Sequence, residues 1–149
     1  MPKKPTSTTT VSKVKEISDS TLNFNDAPKI SWILVQDAAK LLSPYNPKLH
    51  DLGSIMQSID RYGFQELPKF DETVGWIKAG NGRIEALAVM EKEKDGEGKP
   101  AFHLPRGLAM NENNQWAMPL VTGTNAVNEN EALAYLIDAN NLTMLGGDY

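Results

Sequence analysis

Between Val74 and Met90 the sequence reads Val74-Gly75-Trp76-Ile77-Lys78-Ala79-Gly80-Asn81-Gly82-Arg83-Ile84-Glu85-Ala86-Leu87-Ala88-Val89-Met90, and few local structures accommodate it. A short segment suited to a strand meets a Gly-Asn-Gly turn, and behind the turn Ile84, Leu87 and Ala88 fall at helical spacing. The stretch therefore reads as strand, tight turn and helix. Two glycines let the backbone bend and leave room for a ligand, and Asn81 is placed to cap the first amides of the helix. Those amides, the helix dipole and Arg83 together describe an anion site. A cation in a first turn opposes the dipole unless an anion arrives, so Arg83 needs that explanation or a surface carboxylate such as Glu85.

The rest of the chain frames this stretch. Residues 1–27 are rich in Thr, Ser, Lys and Pro without apolar periodicity and read as a flexible arm, leaving 28–149 as one domain. Ile30 to Val35 reads as a strand and Asp37 to Leu42 as a short helix, with Ser43-Pro44-Tyr45-Asn46-Pro47 breaking the regularity. Leu52, Ile55, Met56 and Ile59 mark a helix with Asp51 as its cap and Gly63 beyond its end. Gln65 to Phe70 and Val74 to Lys78 read as two short strands. A helix from the glycine turn to about Glu93 follows, then irregular chain. Trp116 to Val121 reads as a strand that Pro119 pushes towards a sheet edge. Asn128 and Glu131 resemble a capping box ahead of a helix from Ala132 to Ile137, with a tail turning back after Leu142. The passage between the two short strands is too brief for a helical crossover, which favours α+β with a small mixed sheet and flanking helices.

Charge and composition exclude several functions. Residues 1–20 carry four lysines against two carboxylates, a net of +2, which leaves −6 for the remainder of a chain whose net charge is −4. A domain that acidic is a poor non-specific binder of nucleic acid, so any such contact falls to the basic arm or to a partner. The sequence has no cysteine, which removes disulfides, thiolate metal sites and a cysteine nucleophile and suits a reducing cytoplasm. No apolar run is long enough to cross a membrane. Neither His50 nor His103 has the neighbours of a metal site. Trp32, Phe64, Trp76 and Trp116 read as core or edge aromatics, because no basic residues interleave with them.

Four stretches, in order, resemble the ParB/sulfiredoxin-like superfamily, in particular its stand-alone phage or methyltransferase-associated ParB-like domains. They are Asn46-Pro47-Lys48-Leu49-His50 ahead of a helix holding Ser58-Ile59; Tyr62-Gly63-Phe64-Gln65; Gly80-Asn81-Gly82-Arg83 with Glu85-Ala86-Leu87; and Ala134-Tyr135 followed by Asn140-Asn141-Leu142-Thr143. The resemblance spans roughly Ile30 to Asp148 and implies a compact domain whose Gly-x-x-Arg turn grips phosphate or a nucleotide. Lys48, His50, Gly80, Asn81, Gly82, Arg83, Asn140 and Asn141 are its candidate binding residues, and His50 and Glu85 its candidate catalytic groups. Asn81 stands where the reductases of the superfamily carry cysteine and other relatives carry histidine, and Asp138-Ala139-Asn140 departs from the Ala-Asp-Asn of relatives.

Three functions follow as expectations. The first is a phosphate- or nucleotide-binding module, binding or regulatory, in phage or plasmid DNA metabolism. The second is an enzyme of the same fold, a nucleotide hydrolase, phosphotransferase or nuclease, with Mg²⁺ held by phosphate and a carboxylate such as Asp51 or Glu85. The third is an interaction protein that has lost ligand chemistry. The replacement of histidine by Asn81 favours binding over catalysis.

Overall fold

A computed structural model of the chain describes residues 14–45 and 51–146, with side chains described through residue 140. It is α+β, with a mixed five-stranded sheet. Strands β1 (Lys29–Leu34), β2 (Lys69–Asp71), β3 (Trp76–Ala79), β4 (Ala109–Met110) and β5 (Trp116–Thr122) alternate irregularly with helices α1 (Val35–Ala38), α2 (Leu52–Tyr62), α3 (Asn81–Lys92) and α4 (Glu129–Gly146). The sheet order is β1-β5-β2-β3, with β4 also paired to β5. β5 runs antiparallel to β1 and β4 and parallel to β2, and β2 and β3 form an antiparallel pair.

Period-2 alternation assigns the faces of the sheet. Ile77, Met118 and Leu120 point to the face covered by α1, α2 and α3, where Val35, Ala38, Ile55, Ile59, Ile84, Leu87 and Met90 complete the main core. Trp76 points to the other face and packs with Ala126, Ala132 and Leu136 beneath α4. Phe64 and Trp116 are buried in the main core, whereas Trp32 is exposed.

Several local readings hold. Asp51 caps α2, its Oδ1 accepting from the Ser54 N–H at 3.1 Å, and Gly63 takes a positive φ just past the helix end. Asn128 Oδ1 accepts from the Glu131 N–H, and Glu131 Oε1 accepts from the Val127 N–H, two bonds that secure the start of α4.

Three readings are corrected. β5 is a central strand, because its proline meets no partner that needs a donor. The Val121 N–H donates to the Pro68 carbonyl at 2.8 Å, so the Pro119 nitrogen, two residues earlier, faces the same edge, in the gap between β2 and β4. The predicted strand from Gln65 shortens to Lys69–Asp71, the preceding residues being taken up by the passage from Gly63 through Pro68. The predicted helix from Ala132 to Ile137 is extended to Glu129–Gly146, so Asn140 and Asn141 lie within it and the chain does not turn back at Leu142. Asparagine is only a weak helix breaker, and no glycine or proline intervenes before Gly146.

Residues 14–26 are exposed throughout, including the short 3₁₀ turn Asp19–Thr21. Residues 1–13, Lys48, His50 and 147–149 lie outside the described residues. Among those described, no helix is long and apolar enough to cross a membrane.

Candidate functional site

The turn between β3 and α3 is built on Gly80. Its φ of 89° is left-handed, and a Cβ added there would lie 2.8 Å from Pro68 Cβ and 2.9 Å from Pro68 Cα. Both the conformation and the space exclude a side chain. Gly80→Ala is expected to cost at least the roughly 1–3 kcal/mol of such a strained position, read as a lowered midpoint in chemical denaturation.

Asn81 does not cap α3. The helix begins at Asn81 itself, with Gly80 as the N-cap and no side-chain cap bond. The Asn81 side chain is buried and bonds in two directions: Nδ2 donates to the Ile77 carbonyl at 3.0 Å, and Oδ1 accepts from the Ser43 N–H at 2.9 Å. Asn81 thus fastens the chain after α1 to the end of β3, where Leu42 also forms a bridge with Ile77 and Tyr45 meets Trp76 edge to face at 6.2 Å between centroids. That chain leads directly to Lys48 and His50. The positive φ belongs to Gly80; Gly82 is a buried residue of the first turn of α3, in helical conformation.

Arg83 folds back over this turn. Its Nη2 would stand 2.8 Å from a Cβ at Gly80, its Nη1 lies 3.3 Å from Glu66 Oε2, and its side chain is 15% exposed against 62% for Glu66. The guanidinium pairs with Glu66. It lines a cavity of about 290 Å³ with Ser58, Tyr62, Gly63, Gln65 and Glu66. Tyr62, Gly63 and Gln65 belong to the motif behind α2, which the fold brings to the arginine of the glycine turn. Glu66 carried no signal of its own in the sequence; its position after Gln65, on the approach to β2, is what places it at the mouth of the cavity.

The remaining candidates divide. Glu85 is half-buried on α3. Asp51 is committed to capping, Oδ2 also accepting from Ser54 Oγ at 2.7 Å, and hydrogen bonds from the Ser54 side chain and amide hold its carboxyl below the usual aspartate range. Asn140 is half-buried on α4 and makes no hydrogen bond to the turn, and the Asn141 side chain lies outside the described residues. Among the described residues no group of three or more histidine, aspartate and glutamate side chains could hold a metal ion.

On the opposite face of β2 and β3 lies an ion pair that sequence reasoning missed. Lys78 Nζ is 3.0 Å from Asp71 Oδ2, with side chains 7% and 0% exposed. Asp71 also accepts from the Thr73 and Ala126 N–H groups at 2.8 and 2.9 Å, while Lys78 donates to the Thr124 carbonyl and sits 5.0 Å from the centroid of the Tyr135 ring. Burial pushes the Asp71 carboxyl up, but the hydrogen bonds from Lys78, Ala126 and Thr73 more than offset it and hold the group below the usual range. The available signal was periodicity: Trp76 and Lys78 share a strand face, so a buried Trp76 requires a partner for Lys78.

Compared with known proteins, the chain matches no family model, no curated protein and no solved structure.

Proposed function

We propose that the Gly80–Arg83 turn is a phosphate-binding site and that the protein is a nucleotide-binding module of ParB/sulfiredoxin-like type, serving a binding or regulatory role in phage or plasmid DNA metabolism. One observation carries the reading. A largely buried guanidinium lies over a left-handed glycine that is the N-cap of α3 and so offers no capping side chain, and it lines a cavity in which the largely exposed Glu66 is an ion-pair partner. An ion pair with an exposed glutamate is worth little, so a phosphate can displace Glu66 at small cost and gain both the arginine fork and the helix amides. The sequence resemblance adds Lys48 and His50, which follow in sequence the segment that Asn81 fastens to the same turn.

A thermal-denaturation screen against nucleoside di- and triphosphates, with and without Mg²⁺, tests the reading. A ligand present at a hundred times its dissociation constant should stabilise the fold by about 2.7 kcal/mol and raise the melting midpoint accordingly. No shift with any nucleotide or with inorganic phosphate would contradict it.

A further inference from the structure

β1 is the terminal strand of the sheet, and the alternation of its backbone fixes what it offers outward. Because the Val121 N–H is directed to β2, Ile30, its partner in register, does not exchange hydrogen bonds with β5; Lys29, Ser31 and Ile33 do. The N–H and C=O groups of Ile30 and Trp32 therefore point away from the sheet, as does the Leu34 N–H, while the Leu34 carbonyl, at the N-cap, begins α1. Continued one residue back, the alternation places Pro28 on the same edge with a carbonyl and no donor.

Edge strands are ordinarily blunted by charge, proline or a bulge. Here the register with β5 is continuous from Lys29 to Leu34, Lys29 is the strand's one charge, and Ile30 and Trp32 are 63% and 56% exposed on the face that carries α4, at the opposite end of the sheet from β3, on which α4 packs. The segment before β1 does not cover the edge among the described residues: it lines a cavity with Glu72, Thr122 and Asn125, beyond the end of β5.

We propose that β1 pairs antiparallel with β1 of a second copy of this chain, across a two-fold axis at Ser31, so that the two sheets become one. The edge is self-complementary in that register. Ile30 faces Trp32 of the other copy, each pair exchanging two main-chain bonds, and the Leu34 N–H faces the Pro28 carbonyl. The two deficits of the edge, the donor that Pro28 lacks and the carbonyl that Leu34 has already committed, fall opposite one another. Ile30 and Trp32 of the two copies then form two aromatic to β-branched cross-strand contacts, and Lys29 meets Ile33 instead of a like charge. An extended peptide from a different protein would need no such symmetry.

Sedimentation of the full chain over a wide concentration range tests this. The expected result is a reversible approach to twice the monomer mass. Trp32→Glu should weaken association by about tenfold or more while leaving the melting midpoint of the dilute protein unchanged. The chain has no cysteine, so Ser31→Cys supplies a second readout. At a non-hydrogen-bonded pair on the axis the two Cα atoms would stand about 4.5 Å apart, within disulfide range, and mild oxidation should cross-link this variant far faster than Asp60→Cys on the exposed side of α2. A chain monomeric at every concentration, a Trp32→Glu variant that associates as before, or equal cross-linking of the two cysteine variants would overturn the proposal.

Discussion

Asp71→Ala is expected to destabilise the protein by about 3–5 kcal/mol, the cost of leaving one partner of a buried ion pair uncompensated. The site explains why the loss is so large. Lys78 would be left at 7% exposure without its carboxylate, beside the Thr124 carbonyl and the Tyr135 ring, and the Thr73 and Ala126 amides would lose their acceptor. Lys78→Met should cost less, because the Asp71 carboxylate retains both amide donors. Urea titration of the two variants checks the order. The same pair sets a pH dependence. Asp71 is held below its ordinary value in the folded chain, so its contribution is fully present above the unfolded value of about 3.9 and is lost as pH falls through the lower, folded value. The wild-type protein should lose stability on acidification below about pH 4, and Asp71→Asn should flatten that limb of the curve.

Asn81→Ala is expected to have the second largest effect, and it should act on two segments at once. It removes the acceptor of the Ser43 N–H and the donor to the Ile77 carbonyl, and a buried polar group left unpaired costs about 1–3 kcal/mol. Hydrogen exchange should locate the damage at Leu42 to Tyr45 and at the end of β3. Asn81→Asp keeps an acceptor for Ser43 but loses the donor to Ile77, and places a charge in a buried position. It should be at least as harmful as alanine. The asparagine joins the segment around Ser43 to the turn that carries Arg83.

How far the fold was legible depended on whether local signals and tertiary demands agreed. α2 was readable because its apolar spacing, its Asp51 cap and Gly63 coincide, and the start of α4 because Asn128 caps the Glu131 N–H while the Glu131 carboxylate takes the Val127 N–H. Pro119 misled because a proline's missing donor excludes only an edge that needs a donor, and the edge of β5 facing the gap between β2 and β4 does not. Asn81 misled for a related reason: capping is a local preference, whereas its side chain answers a carbonyl four residues back and an amide from a distant segment. The strand, glycine turn and helix around Arg83 were legible as local structure. Glu66 and the cavity behind α2 were not, since they depend on how α2 packs against α3.

The phosphate reading rests on Arg83, and calorimetric titration of Arg83→Ala with the best ligand from the thermal screen tests it most directly. The ion pair it loses involves a largely exposed glutamate, so the variant should fold and melt cooperatively. Its affinity should fall by about 1.5–3 kcal/mol, the range for a hydrogen bond to a charged group, which is about ten- to a hundredfold or somewhat more in dissociation constant. Arg83→Lys should recover only part of the loss, because an ammonium keeps the charge and not the fork. Unchanged affinity in a folded Arg83→Ala protein would contradict the account and reduce the Gly80 turn to the start of a helix.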